Sequence, residues 1–208
     1  MKIKFVCIAD THNLHDEIDI PEGDVLLVAG DFTMMGRPRE IRAFNLYLES
    51  LPHEYKVVIA GNHDFLFERE PQKAQELLTN CIYLEDSSIE ISKIKIYGTP
   101  WQPWFMDWAF NLPRGILIKE KWDMIPKDTE ILITHGPPYS ICDKTIHGNN
   151  EGCVDLLNAI RRVKPKYHIF GHIHEAYGTI KEGKTIFMNA SSVNVQYKPE
   201  YPPFTFEL

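Results

Sequence analysis

The run Ile3-Lys4-Phe5-Val6-Cys7-Ile8-Ala9-Asp10-Thr11-His12 sets the pattern for the whole chain. A short stretch rich in β-branched and aromatic side chains reads as a strand. It gives way without a spacer to a carboxylate and an imidazole two residues apart. The same transition recurs four times. Residues 24–29 lead into Gly30-Asp31, 55–60 into Gly61-Asn62-His63-Asp64, 130–134 into His135-Gly136, and 167–170 into Gly171-His172-Ile173-His174. Five strands therefore end in groups able to ligate a metal or move a proton, and open α/β sheets place their sites at the carboxyl ends of their strands.

Between these runs lie segments with a helical character. Residues 37–51, 71–79 and 152–163 are expected helices, with Pro71 at a helix start and Leu156, Leu157 and Ile160 at helical spacing. The remainder reads mostly as β: residues 88–91, 94–98, 176–180 and 185–189 are short strands, and Glu182-Gly183-Lys184 is a hairpin turn between the last two. Strands alternating with helices define an α/β protein. A length of 208 residues fits one domain, residues 1–208, and a hydrophobic fraction of 44% with 25% charged residues implies that the whole chain folds.

Composition narrows the partners. A net charge of −7 and the lack of a dense basic run argue against duplex nucleic acid. No stretch approaches the roughly 18 apolar residues of a membrane span, and the apolar run at the N-terminus is too short for a signal peptide. Cys7, Cys81, Cys142 and Cys153 form no CxxC pair, so reduced thiols and a cytoplasmic setting are expected.

Each cluster alone has an ordinary explanation: Asp10 as a turn residue, Gly30-Asp31 as turn chemistry, Asn62-His63-Asp64 as a self-bonded loop. Jointly they do not, because turns have no need of five histidines that all follow strands. The set Asp10-x-His12, Gly30-Asp31, Gly61-Asn62-His63-Asp64, His135-Gly136 and Gly171-His172-x-His174 resembles the calcineurin-like metallophosphoesterase family. Gly30-Asp31-Phe32-Thr33 and Gly98-Thr99-Pro100-Trp101-Gln102-Pro103 further resemble its small metallophosphoesterase-domain-protein branch. The resemblance implies a four-layer α/β/β/α sandwich of two packed sheets flanked by helices. It also implies two divalent ions, one held by Asp10, His12, Asp31 and His174, the other by Asp31, Asn62, His135 and His172, with Asp31 shared.

Imidazole, carboxylate and amide ligands without thiolate suit manganese, and also iron, zinc, cobalt, nickel or magnesium. Paired ions would activate water for in-line attack on a phosphoester, so no side-chain nucleophile is needed. The resemblance to the family's small members implies a leaning towards phosphodiesters such as cyclic nucleotides. His63 is expected to serve the leaving oxygen, with Asp64 fixing its orientation, a role the resemblance supports. His147, in a polar loop before a helix, Arg37 and Trp101 are candidates for binding a small phosphate-ester substrate. His15, His53 and His168 have no motif partner and read as structural. The rival is a binding or scaffold protein of the same fold with weak or no catalysis, which would show a broken ligand set. A metallo-β-lactamase-type hydrolase would need an HxHxDH motif, but Glu175-Ala176 follow His174.

Overall fold

A computed structural model describes residues 2–208. In chain order the elements begin with β1 (Lys4–Ile8), β2 (Val25–Ala29), α1 (Pro38–Ser50), β3 (Tyr55–Ile59), α2 (Phe65–Arg69) and α3 (Pro71–Leu77). Then come β4 (Ile82–Tyr83), β5 (Ser87–Ile91), β6 (Ile94–Thr99), β7 (Gln102–Pro103), β8 (Asn111–Leu112) and α4 (Ile116–Asp123). The chain closes with β9 (Ile131–Thr134), α5 (Val154–Val163), β10 (Tyr167–Phe170), β11 (Gly178–Glu182), β12 (Thr185–Asn189) and β13 (Phe204–Glu207).

Two mixed sheets carry the structure, in the orders β13-β1-β2-β3-β4 and β11-β12-β10-β9-β6-β5. Their interiors are parallel, and the antiparallel strands β13, β11 and β5 lie at edges. Parallel strands buried on both faces must be apolar at every position, which is why β2 reads Val-Leu-Leu-Val-Ala without alternation. The period of two still sorts the side chains. Phe5, Cys7, Val25 and Leu27 meet Ile131, Ile133 and Ile169 between the sheets. Val6, Ile8, Leu26 and Val28 face outward onto Ile41, Phe44 and Leu48 of α1. On the other side Leu132, Phe170 and Phe187 pack against Ile118 and Trp122 of α4 and Leu156 and Ile160 of α5. The architecture is the four-layer α/β/β/α sandwich. Phe44 and Trp122 are almost fully buried in the two outer layers, and truncating such an aromatic generally costs about 3–5 kcal/mol.

The three expected helices form, each a little shorter than its sequence pattern. Pro38 opens α1, and Glu40 Oε2 caps it by accepting the amides of Arg37 at 3.0 Å and Met35 at 3.1 Å. Two helices depart from the β reading. The sequence pattern predicts no helix over 116–123, yet α4 forms there, burying Ile118 and Trp122, one turn apart, and leaving Ile116 77% exposed. The five residues of α2 are too few to show a period. Lys164, with φ 58, ends α5, and the β11–β12 hairpin turns at Gly183, as expected. Among the described residues, no helix is long and apolar enough to cross a membrane.

Candidate metal centre

At the ends of β1, β2 and β10 the backbone leaves the extended region abruptly. Asp10, His12, Asp31 and His172 have φ of 53°, 43°, 53° and 72°. Non-glycine residues seldom adopt the left-handed region, and clusters of them mark sites where surrounding structure enforces strain. Space is equally tight. A Cβ on Gly171 would lie 2.1 Å from Asp10 Oδ2, and one on Gly61 would lie 2.3 Å from Asp31 Oδ1. Glycine at these two positions is required for the carboxylates to sit where they do.

The loops bring ligand atoms of Asp10, His12 and His174 within 4.8 Å of one another, those of Asp31, His135 and His172 likewise, and those of His12, Asp31 and His63 as well. Asp31 lies between the groups: its Oδ2 is 3.3 Å from His135 Nε2 and 3.9 Å from His12 Nε2. Neighbours fix the rings. His135 Nδ1 donates to the Ala29 carbonyl at 2.9 Å and His174 Nδ1 to that of Asn194 at 3.2 Å, which turns both Nε2 atoms inward. Asp10 Oδ2 accepts from Ser191 Oγ at 2.5 Å and the His172 amide at 2.8 Å, tying β1 to the segment after β10.

Two observations show that these residues suit a cation. Asp10 Oδ1 is buried with no hydrogen-bond partner. His135 Nε2 lies 2.9 Å from Asn62 Oδ1 and 3.3 Å from Asp31 Oδ2, so three electron-rich atoms converge and need a proton or a positive ion among them. Without an ion, charge settles on the Asp31–His135 pair. Burial works against both ions, but the His135 and His63 imidazoles outweigh it and hold Asp31 well below the usual carboxylate range, while Asp31 lifts His135 to about 9. Burial drives His12 and His172 down to about 3, so they stay neutral donors of a lone pair.

His63 stands at the margin of this cluster. Its Nε2 is 3.9 Å from Asp31 Oδ2, its ring packs at 4.3 Å on Trp108, and its Nδ1 donates to the Met34 carbonyl at 2.7 Å. The expectation that Asp64 orients His63 is corrected by this bond. Asp64 instead accepts the amides of Gly61, Asp31 and Thr33 at 2.8, 2.9 and 3.0 Å and the Thr33 hydroxyl at 2.7 Å. It binds the loops after β2 and β3 to each other and makes no bond to the imidazole beside it in sequence.

Two cavities open here. The smaller, about 220 Å³, is lined by Asp31, Asn62, His63, Trp108, His174 and Tyr197 among others. The larger, about 530 Å³, includes Trp104, Phe105, Arg114, Ile146 and His147. Phe105, His172 and Glu175 border both. Of the substrate candidates, His147 lines the larger cavity. The other two substrate candidates are corrected. Arg37 is exposed at the start of α1 and lines neither cavity. Trp101 turns away, its Nε1 donating to Asp86 at 3.0 Å and its ring lying 4.3 Å under Lys121. Trp108, Glu175 and Tyr197 escaped the sequence reading because each lies outside a recognisable motif.

The comparisons agree with this geometry. Residues 3–176 match the calcineurin-like phosphoesterase profile. Metallophosphoesterase domain-containing protein 1 of Homo sapiens is 47% identical over 230 residues, covering 99% of this chain and 71% of its own. Among solved structures, TT1561 of Thermus thermophilus superimposes with a TM-score of 0.63 at 13% identity over 99% of both chains. An archaeal phosphodiesterase does so with a TM-score of 0.50 at 16% identity, over 99% of this chain and 100% of its own. A profile that spans every strand end bearing a ligand, on a fold that brings those ends together, makes this chain a member of the calcineurin-like phosphoesterase family.

Proposed function

We propose that the chain is a two-ion phosphoesterase, with manganese the preferred metal, that favours small phosphodiesters over monoesters. The observation that carries this is the overlap of the ligand clusters at Asp31, which belongs to two of the three. In this reading Asp10, His12, Asp31 and His174 hold one ion, and Asp31, Asn62, His135 and His172 the other. Bound there, two divalent ions would acidify a shared water, polarise the phosphoryl oxygens and compensate charge on attacking and leaving oxygens.

The protein's own groups supply orientation and protons. The Met34 carbonyl accepts from Nδ1 of His63 and leaves Nε2 turned to the cavity, where the imidazolium form can give its Nε2 proton to the leaving oxygen. Asp64 keeps the Asp31 and Gly61 loops in register, and so acts on the reaction through position alone. The two cavities, which share Phe105, His172 and Glu175, support a diester: a monoester has one organic arm to place, whereas a diester has two, and the aromatic wall of Trp104 and Phe105 suits a flat arm such as the base of a cyclic nucleotide. All four cysteines are free thiols, which fits a reducing cytoplasm.

Metal analysis after manganese reconstitution should plateau at two equivalents per chain, and exhaustive chelation should abolish hydrolysis of bis(p-nitrophenyl) phosphate until manganese is restored. A plateau at one equivalent would sink the two-ion arrangement, and faster turnover of p-nitrophenyl phosphate would reverse the preference for diesters.

A further inference from the structure

The turn after β12 brings one more side chain to the smaller cavity. Asn194 Oδ1 accepts the amides of Gln196 at 2.8 Å and Lys198 at 3.2 Å. The Asn194 carbonyl accepts the amide of Tyr197 at 2.9 Å as well as the Nδ1 proton of His174. One carbonyl therefore fixes both a candidate ligand and the backbone of Tyr197. That backbone has φ 56, a conformation that suits glycine or asparagine and strains a bulky residue. Core packing does not account for the ring, which is 40% exposed and belongs to none of the three apolar cores. Its aromatic neighbours are the site's own imidazoles: His12 at 4.8 Å, edge to face, His174 at 5.5 Å and His63 at 6.3 Å. Observed strain, solvent access and placement on the ligand rings together indicate a role toward what occupies the cavity.

We propose that Tyr197 contacts the substrate, its phenol O–H donating a hydrogen bond to a non-bridging phosphoryl oxygen of an ester held over the metal centre. The substrate class rests on the phosphoesterase reading above. Tyr197 and His63 then divide the work: the phenol steadies the phosphoryl group, and the imidazole, its ring centre 6.3 Å from that of Tyr197, is left for the leaving oxygen. Tyr197 lies beyond residue 176, where the family match ends.

Tyr197→Phe removes the hydroxyl alone. A hydrogen bond to a charged group is worth roughly a ten- to hundredfold change in binding. Calorimetric titration of the manganese-loaded protein with inorganic phosphate should show affinity weakened by roughly tenfold or more in Tyr197→Phe, by that same hydrogen-bond scale. The kcat/KM for bis(p-nitrophenyl) phosphate should fall at least as far, with metal content and Tm unchanged. Tyr197→Gly, which removes the ring and relaxes the backbone, should lose at least as much phosphate affinity without a lower Tm. Wild-type phosphate affinity in Tyr197→Phe would overturn the proposal, as would loss of metal in that variant, which would make the phenol a support for the ligands. If the wild type hydrolyses no phosphate ester but Tyr197→Phe still weakens phosphate binding, the phosphoesterase reading falls and the Tyr197 contact stands.

Discussion

The two walls of the cleft are built on opposite lines. The wall that carries Asp10, His12, Asp31, Asn62 and His135 is buried, stands at strand ends and is tied by hydrogen bonds to the neighbouring loops. The facing wall is exposed: Trp104 is 65%, Phe105 53% and Ile146 66% accessible, and all three sit outside the two large sheets. Groups that must meet within a few tenths of an ångström need a rigid frame, and the sheets supply one; groups that select among substrates need only surface and shape. Chemistry and selectivity are therefore separable here, and substitutions should divide along that line.

Asp31→Asn strikes the frame at the group common to both clusters. Metal content should fall at both positions together and activity should drop to background, as read by elemental analysis beside turnover. Retention of one full equivalent would show that the clusters are independent. His63→Ala acts where the walls meet. It should leave metal content near wild type and slow esters with alkoxide leaving groups by roughly a hundredfold to ten-thousandfold, the usual contribution of a general acid. A nitrophenyl ester, whose leaving group needs little protonation, should lose much less, and equal losses on the two would end the general-acid assignment. Trp104→Ala touches only the exposed wall. Loss of one stacking surface should raise KM for a bis-aryl diester by roughly threefold to tenfold with kcat and metal content unchanged. An effect of the same size on p-nitrophenyl phosphate, which has no second arm, would break the separation of the walls.

The same division explains what could be read from the sequence. Ligands at strand ends are announced by an abrupt change from apolar run to Asp, Asn or His, and all seven converge in space as the resemblance implied. Architecture was legible for a related reason, since strands buried on both faces advertise themselves. The exposed wall carries no such signature. Trp101 and Trp104 are three residues apart in one aromatic stretch, yet Trp101 finds Asp86 and Lys121 while Trp104 faces the cavity. Adjacency likewise misled for Asp64. Its position after His63 suggested a bonded pair, but its carboxylate reaches back to Asp31 and Thr33, more than thirty positions earlier in the chain. The α4 segment failed for want of period, as Ile116-Leu117-Ile118 imitates a strand until Trp122 shows which face is buried.

Gly171 and Asp10 belong to different sheets, and their approach leaves no room for even a methyl group between them. The centre is thus also the key that registers one layer against the other. Sliding the sheets by the width of one side chain would pull His174 from His12 and the His172 amide from Asp10, and take both clusters apart. The exposed stretch around Trp104 and Phe105 lies outside the two sheets joined in this way, which meet at the centre like the halves of a mould.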